Sequence, residues 1–260
     1  FEAFEDTDSG LLGYVQRPLY NKEALDEAIA DYMPEGATVT YDVEEVPDQD
    51  WNQGWEDEGF EPIGVGDHLI IYDAKHTDMN MFAGNDGVMR IFIEARNAFG
   101  TGTHQTTRMI LRRFQNMDMA GIDVLDCGCG TGILGIAASK MGAKKVLGYD
   151  IDEWSSENAK HNAELNGVKN MDVLLGDASV LSGVQDKFDL VVANINRNIL
   201  INDMSAFRSV MRGNGTKLIL SGFYTTDVPM LQEAAAANGL QLKDVVEDEE
   251  WACALFELSL

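Results

Sequence analysis

The run Asp126-Cys127-Gly128-Cys129-Gly130-Thr131-Gly132 sets three glycines and a carboxylate between an apolar stretch closing at Val124-Leu125 and a helix-forming stretch from Ile133 to Met141. Glycines at this spacing let backbone approach a ligand closely. In a parallel α/β fold, a strand-turn-helix junction of this kind is where a nucleotide-bearing cofactor lies. The next strand-like run, Lys145 to Tyr149, ends in Asp150. That is about 20 residues past the turn, where such folds place the acid that holds a ribose hydroxyl pair.

Charge decides between cofactors. Read as Gly130-Thr131-Gly132-Ile133-Leu134-Gly135, the segment also fits the dinucleotide pattern, so a nicotinamide cofactor is the rival. Asp126 argues against it, because a fixed carboxylate beside the turn would face a pyrophosphate at low effective dielectric. S-adenosylmethionine carries no phosphate; its sulfonium and α-ammonium both suit a nearby carboxylate, and it is the expected donor. A turn that binds nothing is disfavoured by the agreement of strand, turn with helix, and second acid.

Further along, the apolar run Leu190-Val191-Val192-Ala193 delivers Asn194 to the same sheet edge, where its amide can accept from an amine or cap the following turn. Met171 to Leu175 is a strand closed by Gly176-Asp177-Ala178; Asp177 either accepts from the adenine amine or caps the next element. Upstream, Asn97 to Thr107 carries two glycines, four threonines and His104 before a helix from Arg108 to Phe114. Ordering such glycines is entropically costly, so the loop is expected to hold the cofactor's carboxylate or reacting end, with helix capping by Thr106 or Thr107 as the plainer role. His104 is a weak candidate for proton acceptor.

These residues need elements to position them. From Asp123 onward, strands and helices alternate as a parallel sheet requires: Lys145–Tyr149, Glu153–Leu165, Met171–Leu175, Leu190–Ala193 and Lys217–Leu220 in turn. Leu242–Val246 and Ala252–Leu258, joined by Glu247-Asp248-Glu249-Glu250, read as an antiparallel edge hairpin. Residues 1–46 read as a small α+β unit. Leu11–Gln16 is strand-like, Lys22–Met33 places Leu25, Ala28, Ile29 and Tyr32 at helical spacing, and Thr38–Val43 alternates like a strand after Pro34 and Gly36. Residues 47–95 read as an acidic connector bearing Trp51 and Trp55, followed by a hairpin of His68–Tyr72 and Val88–Glu94 turned by Asn85-Asp86-Gly87. Residues 96–260 read as the domain that carries the glycine turn and is expected to be catalytic.

The chain has 260 residues and 45% hydrophobic content, enough for one good core and a smaller second one. No apolar run approaches the ~20 residues of a membrane span, and no basic-then-apolar leader is present. The chain begins at Phe1, so a preceding piece is expected to be missing. Forty-four acids against 19 bases give a net charge of -25, which repels phosphate backbones, argues against nucleic acid as direct substrate, and favours a basic partner. Cys127, Cys129 and Cys253 lack paired spacing, which points to a reducing cytoplasm; they and the scattered histidines form no metal pattern. With no large apolar surface signal, the chain reads as a monomer.

The Phe-Gly-Thr-Gly-Thr-His core within Asn97–Thr107, the Val124–Gly132 turn, Gly148-Tyr149-Asp150-Ile151-Asp152 and Ala193-Asn194-Ile195 closely resemble the PrmA family, bacterial methyltransferases of a stalk-base protein of the large ribosomal subunit. The resemblance runs from about Asp50 to the C-terminus. It implies a Rossmann-like, seven-stranded class I methyltransferase domain behind a smaller, truncated ferredoxin-like α+β domain that grips the ribosomal protein. It implies S-adenosylmethionine as cofactor, with Thr107, Gly128, Asp150 and Asn194 at matching positions; Asp126, Gly130 and Asp177 join the set from the residue reading above. Two departures are visible. The family's opening strand and helix are not found ahead of Phe1, and Ile195-Asn196-Arg197-Asn198-Ile199-Leu200 is more polar than the family's run after the asparagine.

Methyl transfer is an in-line displacement, so the enzyme chiefly aligns a neutral amine with the donor. Asn194 suits that task as an uncharged acceptor, and is the expected catalytic residue. Transfer to a small molecule or nucleic acid, and hydride transfer with NAD, remain the alternatives at this level.

Overall fold

A computed structural model describes residues 3–7, 10–15, 17, 20–32, 39–44, 59–82, 87–95 and 100–259. The chain divides into two compact units, Phe1–Asp50 and Trp51–Leu260. Trp51, Trp55, Pro34, Gly36, Asn85, Asp86 and Asn97 to Phe99 lie outside the described residues.

In the first unit, strands β1 (Ala3–Thr7) and β2 (Gly10–Tyr14) pair antiparallel, and helix α1 spans Lys22–Tyr32. Asn21 starts the helix by accepting the Ala24 N–H at 3.0 Å. The strand expected over Thr38–Val43 does not form in its described part: residues 39–44 lie in no strand. Alternation alone cannot make a strand without an edge to pair with. Tyr41 instead turns to α1, where its hydroxyl donates to Asp26 and accepts from Lys22.

The second unit opens with a three-stranded sheet of β3 (Ile63–Val65), β4 (Leu69–Asp73) and β5 (Met89–Ile93). The hairpin expected between His68–Tyr72 and Val88–Glu94 is a misreading. β4 and β5 run parallel, Leu69 opposite Met89, and the antiparallel partner of β4 is β3. Residues 74–88, which include a 3-10 turn at Met79–Phe82, are long enough for the crossover that parallel pairing needs. The tight turn falls at Gly66, whose φ of +61° suits glycine. Cross-strand neighbours Tyr72 and Phe92 stack with centroids 5.5 Å apart.

Behind this lies a seven-stranded sheet of β6 (Asp123–Cys127), β7 (Lys145–Asp150), β8 (Met171–Leu175), β9 (Leu190–Asn194), β10 (Lys217–Tyr224), β11 (Leu240–Asp248) and β12 (Trp251–Leu258), in the order β11-β12-β10-β9-β6-β7-β8 among the described residues. The five strands from β10 to β8 are parallel; β12 runs against β10 and pairs antiparallel with β11. The helices are α2 (Gln105–Gln115), α3 (Ile133–Lys140), α4 (Glu153–Leu165), α5 (Arg197–Val210) and α6 (Val228–Ala237).

Central strands are apolar at successive positions because both faces are covered. Leu125, Val191 and Ala193 pack with Phe207 of α5 and Leu231 of α6 on one side. Val124, Leu190 and Val192 pack with Phe114 of α2 and Ile136 of α3 on the other, where the small sheet adds Ile71 and Ile91.

The chain winds outward from β6 to β7 and β8, then returns to place β9 on the other side of β6. That reversal opens a crevice at the carboxyl ends of β6 and β9, the place where open α/β sheets bind ligands.

Candidate active site

The glycine turn leaves β6 into this crevice with Gly128, Gly130 and Gly132 at φ of +66°, +52° and +80°, a left-handed path that side chains would strain. A Cβ on Gly128 would also collide with the Ile195 side chain. Four of the five amides in residues 128–132 are engaged internally. Gly128 and Cys129 donate to the Tyr149 carbonyl at 2.8 and 3.0 Å, Gly130 donates to Asp150 Oδ2 at 2.9 Å, and Gly132 donates to the Cys129 carbonyl at 2.8 Å. Phosphate-binding turns aim free N–H groups at the anion. Four engaged amides fit a phosphate-free donor such as S-adenosylmethionine; this argument does not need the charge expected of Asp126, which burial makes costlier to hold than a carboxylate open to the turn would be.

Asp126 is fully buried in β6. Its Oδ2 accepts the Gly135 N–H in the first turn of α3 at 2.9 Å, while Oδ1 is buried with no hydrogen-bond partner. Burial raises its pKa to about 7, with the Gly135 N–H opposing and the Asp150 charge reinforcing that rise. At neutral pH the carboxyl is therefore balanced between charged and neutral forms, and a cation brought near Oδ1 would favour the charged one. Asp150, at the end of β7, accepts Gly130 N–H at Oδ2 and Asp152 N–H at Oδ1, 3.1 Å away, which fixes the carboxylate beside the turn. Ile151 next to it is 76% exposed, an apolar face at the crevice edge.

Asn194 ends β9. Its Nδ2 donates to Thr107 Oγ1 on α2 at 3.3 Å, and its Oδ1 is buried with no hydrogen-bond partner. It does not cap the following helix; Asn196 does, accepting the Asn198 N–H at 2.9 Å. The structure thus brings Gly128, Gly130, Asp126, Asp150, Asn194 and Thr107 onto adjoining carboxyl ends and the facing start of α2. Asp177 lies at the end of β8, exposed, and accepts the Ser179 N–H at 2.9 Å as cap of the 3-10 turn Ala178–Gly183. Ser179 holds its carboxyl below the usual range.

The threonine-rich loop closes on the turn from the other side. Thr131 Oγ1 donates to the Gly100 carbonyl at 2.5 Å, and a Cβ on Gly102 (φ +94°) would meet Ile71 Cδ1 at 2.5 Å. Capping of α2 by Thr106 or Thr107 is corrected. His104 is the cap, with Nδ1 accepting the Thr106 N–H at 3.3 Å and 2.8 Å from Thr106 Oγ1. Burial, and then the Arg108 charge, lower the His104 pKa, which keeps that nitrogen unprotonated for the task. Cys127 and Cys129 are buried thiols, and burial holds both well above the ordinary thiol range, so they pack as small apolar groups.

Two contributors were missed in the sequence. Gly222 in β10 has φ +91°, and a Cβ there would meet Ile195 O at 2.6 Å and Ile195 N at 2.9 Å. It lets the backbone after Asn194 pass against β10, beside a bulge between Ser221 and Phe223. A glycine inside a strand pattern was the available signal. The second is Asn162 of α4, whose side-chain amide reaches Thr131 O at 3.0 Å; nothing local distinguishes it from a solvent-facing helix asparagine.

A family model described as ribosomal protein L11 methyltransferase (PrmA) matches residues 6–258. A ribosomal protein L11 methyltransferase of Bacteroides fragilis is 41% identical over 258 residues, covering 99% of this chain and 90% of that protein. One from Porphyromonas gingivalis is 42% identical over 98% of this chain and 86% of its own length. Among solved structures, a ribosomal protein L11 methylase from Lactobacillus delbrueckii subsp. bulgaricus superposes with a TM-score of 0.68 at 30% identity, over 77% of this chain and all of that one.

Proposed function

Because the chain belongs to the ribosomal protein L11 methyltransferase (PrmA) family, we propose that it transfers methyl groups from S-adenosylmethionine to amino groups of ribosomal protein L11, on lysine side chains, the N-terminal amine or both. The observation that carries the chemistry is Asn194: a buried amide oxygen without a partner, on a side chain whose other end is anchored to Thr107.

When bound, S-adenosylmethionine supplies a methyl carbon already activated by a positive sulfur. Gly128 and Gly130 would give it a surface without side chains, Asp150 would offer its fixed carboxylate to the ribose hydroxyls, and Asp126 Oδ1 would take the α-ammonium. Thr107 would hold Asn194 by the reacting end, and Asp177, beside its capping bond, would accept from the adenine amine. Asn194 Oδ1 would accept from the amine N–H groups and so orient its lone pair without adding a charge. A lysine ammonium, pKa ~10.4, must reach this position neutral, and a desolvating crevice lowers that value. Orientation of this kind contributes several kcal/mol, up to roughly 7–11 in ideal cases.

The net charge of -25 suits a basic protein substrate at the stalk base and disfavours a direct nucleic acid substrate. Residues 1–46 serve, on this reading, as a ferredoxin-like substrate-gripping domain and 47–95 as its connection to the catalytic domain, in a cytoplasmic monomer. No helix among the described residues is long and apolar enough to cross a membrane. Incubation of the protein with methyl-labelled donor and total large-subunit components tests the proposal. Label on L11 supports it; label on RNA or small metabolites with none on L11 overturns it.

A further inference from the structure

Helix α4 carries Asn158 and Asn162, and Asn166 caps its C-terminus, all at four-residue spacing and facing the edge of β5 that β4 leaves open. Asn166 Oδ1 accepts the Phe92 N–H at 2.9 Å while its Nδ2 donates to the Phe92 carbonyl at 2.6 Å. Asn162 does the same two residues on, accepting the Glu94 N–H at 3.0 Å and donating to the Glu94 carbonyl at 3.2 Å. Asn158 adds a second donor to that carbonyl at 2.9 Å. Side-chain amides of a helix thus stand in for a neighbouring strand. Four helical residues advance about 6.0 Å and two strand residues about 6.6 Å, so the two repeats nearly match.

Asn162 differs from Asn166 in one respect. Fully buried, its Nδ2 also lies 3.0 Å from the carbonyl of Thr131, inside the glycine turn, and Thr131 in turn donates to Gly100. One side chain therefore ties the end of β5, from which the chain runs on to the threonine-rich loop, to the turn on which that loop closes.

We infer that Asn162 is a positioning residue for S-adenosylmethionine: it holds the glycine turn and the end of β5 in the register the cofactor needs, without touching it. This rests on the reading that the cofactor lies against the turn. Asp150→Ala tests that reading separately, since unchanged binding in that variant would refute the location whatever Asn162 does.

The test compares Asn162→Asp, which keeps size and acceptor but loses both donors, and the milder Asn162→Ser, with Asn166→Ala, which removes the Phe92 bonds and a bond to the Asn162 backbone carbonyl but none to the turn. Three quantities are read: S-adenosylhomocysteine affinity by calorimetry, Tm, and amide exchange in residues 128–132. All variants are expected to lower Tm. Only the Asn162 variants should weaken S-adenosylhomocysteine, by about tenfold, and speed exchange in the turn, with kcat at saturating donor held within about twofold. Equal weakening by Asn166→Ala, or unchanged affinity in a folded Asn162 variant, would overturn the inference.

Discussion

Thr107 Oγ1 accepts the Asn194 Nδ2 hydrogen bond at 3.3 Å, joining the start of α2 to the carboxyl end of β9 across the crevice. The bond fixes which end of the Asn194 amide is held by α2 and which is left without a partner. Removing it should free the amide to flip. Thr107→Val is expected to lower kcat for L11 methylation by about tenfold, the worth of one buried hydrogen bond, while Thr107→Ser retains most of the rate. Steady-state kinetics on both variants checks this, and equal rates in the two would refute it.

Gly222 sets the path of the backbone after Asn194. In Gly222→Ala the new Cβ would press on Ile195 N and O at a φ that disfavours side chains. The substitution is expected to lower stability by roughly 1–3 kcal/mol and to reduce kcat by displacing Asn194. Urea denaturation with parallel kinetics separates the two effects; a variant that loses stability but keeps full kcat would contradict the positioning role.

Asp126 gives the fold a pH dependence whose sign is fixed. Its pKa rises from 3.8 to about 7 on burial, so the folded state binds this proton more tightly than the unfolded state does. The resulting stabilisation is fully present below about pH 3.8 and is lost as pH rises through about 7. Asp126→Asn, neutral throughout, should flatten this part of the curve, as read from urea midpoints across that window. Parallel curves for the two proteins would show that the carboxyl titrates normally.

Local patterns carried much of this fold. The glycine turn, Asp150 at the end of β7 and the bounds of β8 each follow from residues adjacent in sequence. Pairing did not. Asn85-Asp86-Gly87 is good turn chemistry, yet β4 and β5 are parallel, and the antiparallel partner of β4 is the three-residue β3, too short to stand out as a periodic run. His104 was not legible as a cap because its role depends on a desolvated, neutral ring. The Asp126 carboxylate was legible as an acid beside the turn, but its bond to Gly135 and its burial are tertiary facts. Asn194 was readable from its place at a strand end; its anchor on Thr107, 87 residues away in sequence, was not.

The crystal structure of the protein with S-adenosylhomocysteine, alongside a soak with NAD, tests the central claim most directly. S-adenosylhomocysteine is expected against Gly128 and Gly130, with its ribose hydroxyls on Asp150 and its sulfur turned toward Asn194, and NAD is expected to leave the turn empty. Diphosphate bound to the amides of residues 128–132, or S-adenosylhomocysteine lodged away from Asn194, would contradict the account.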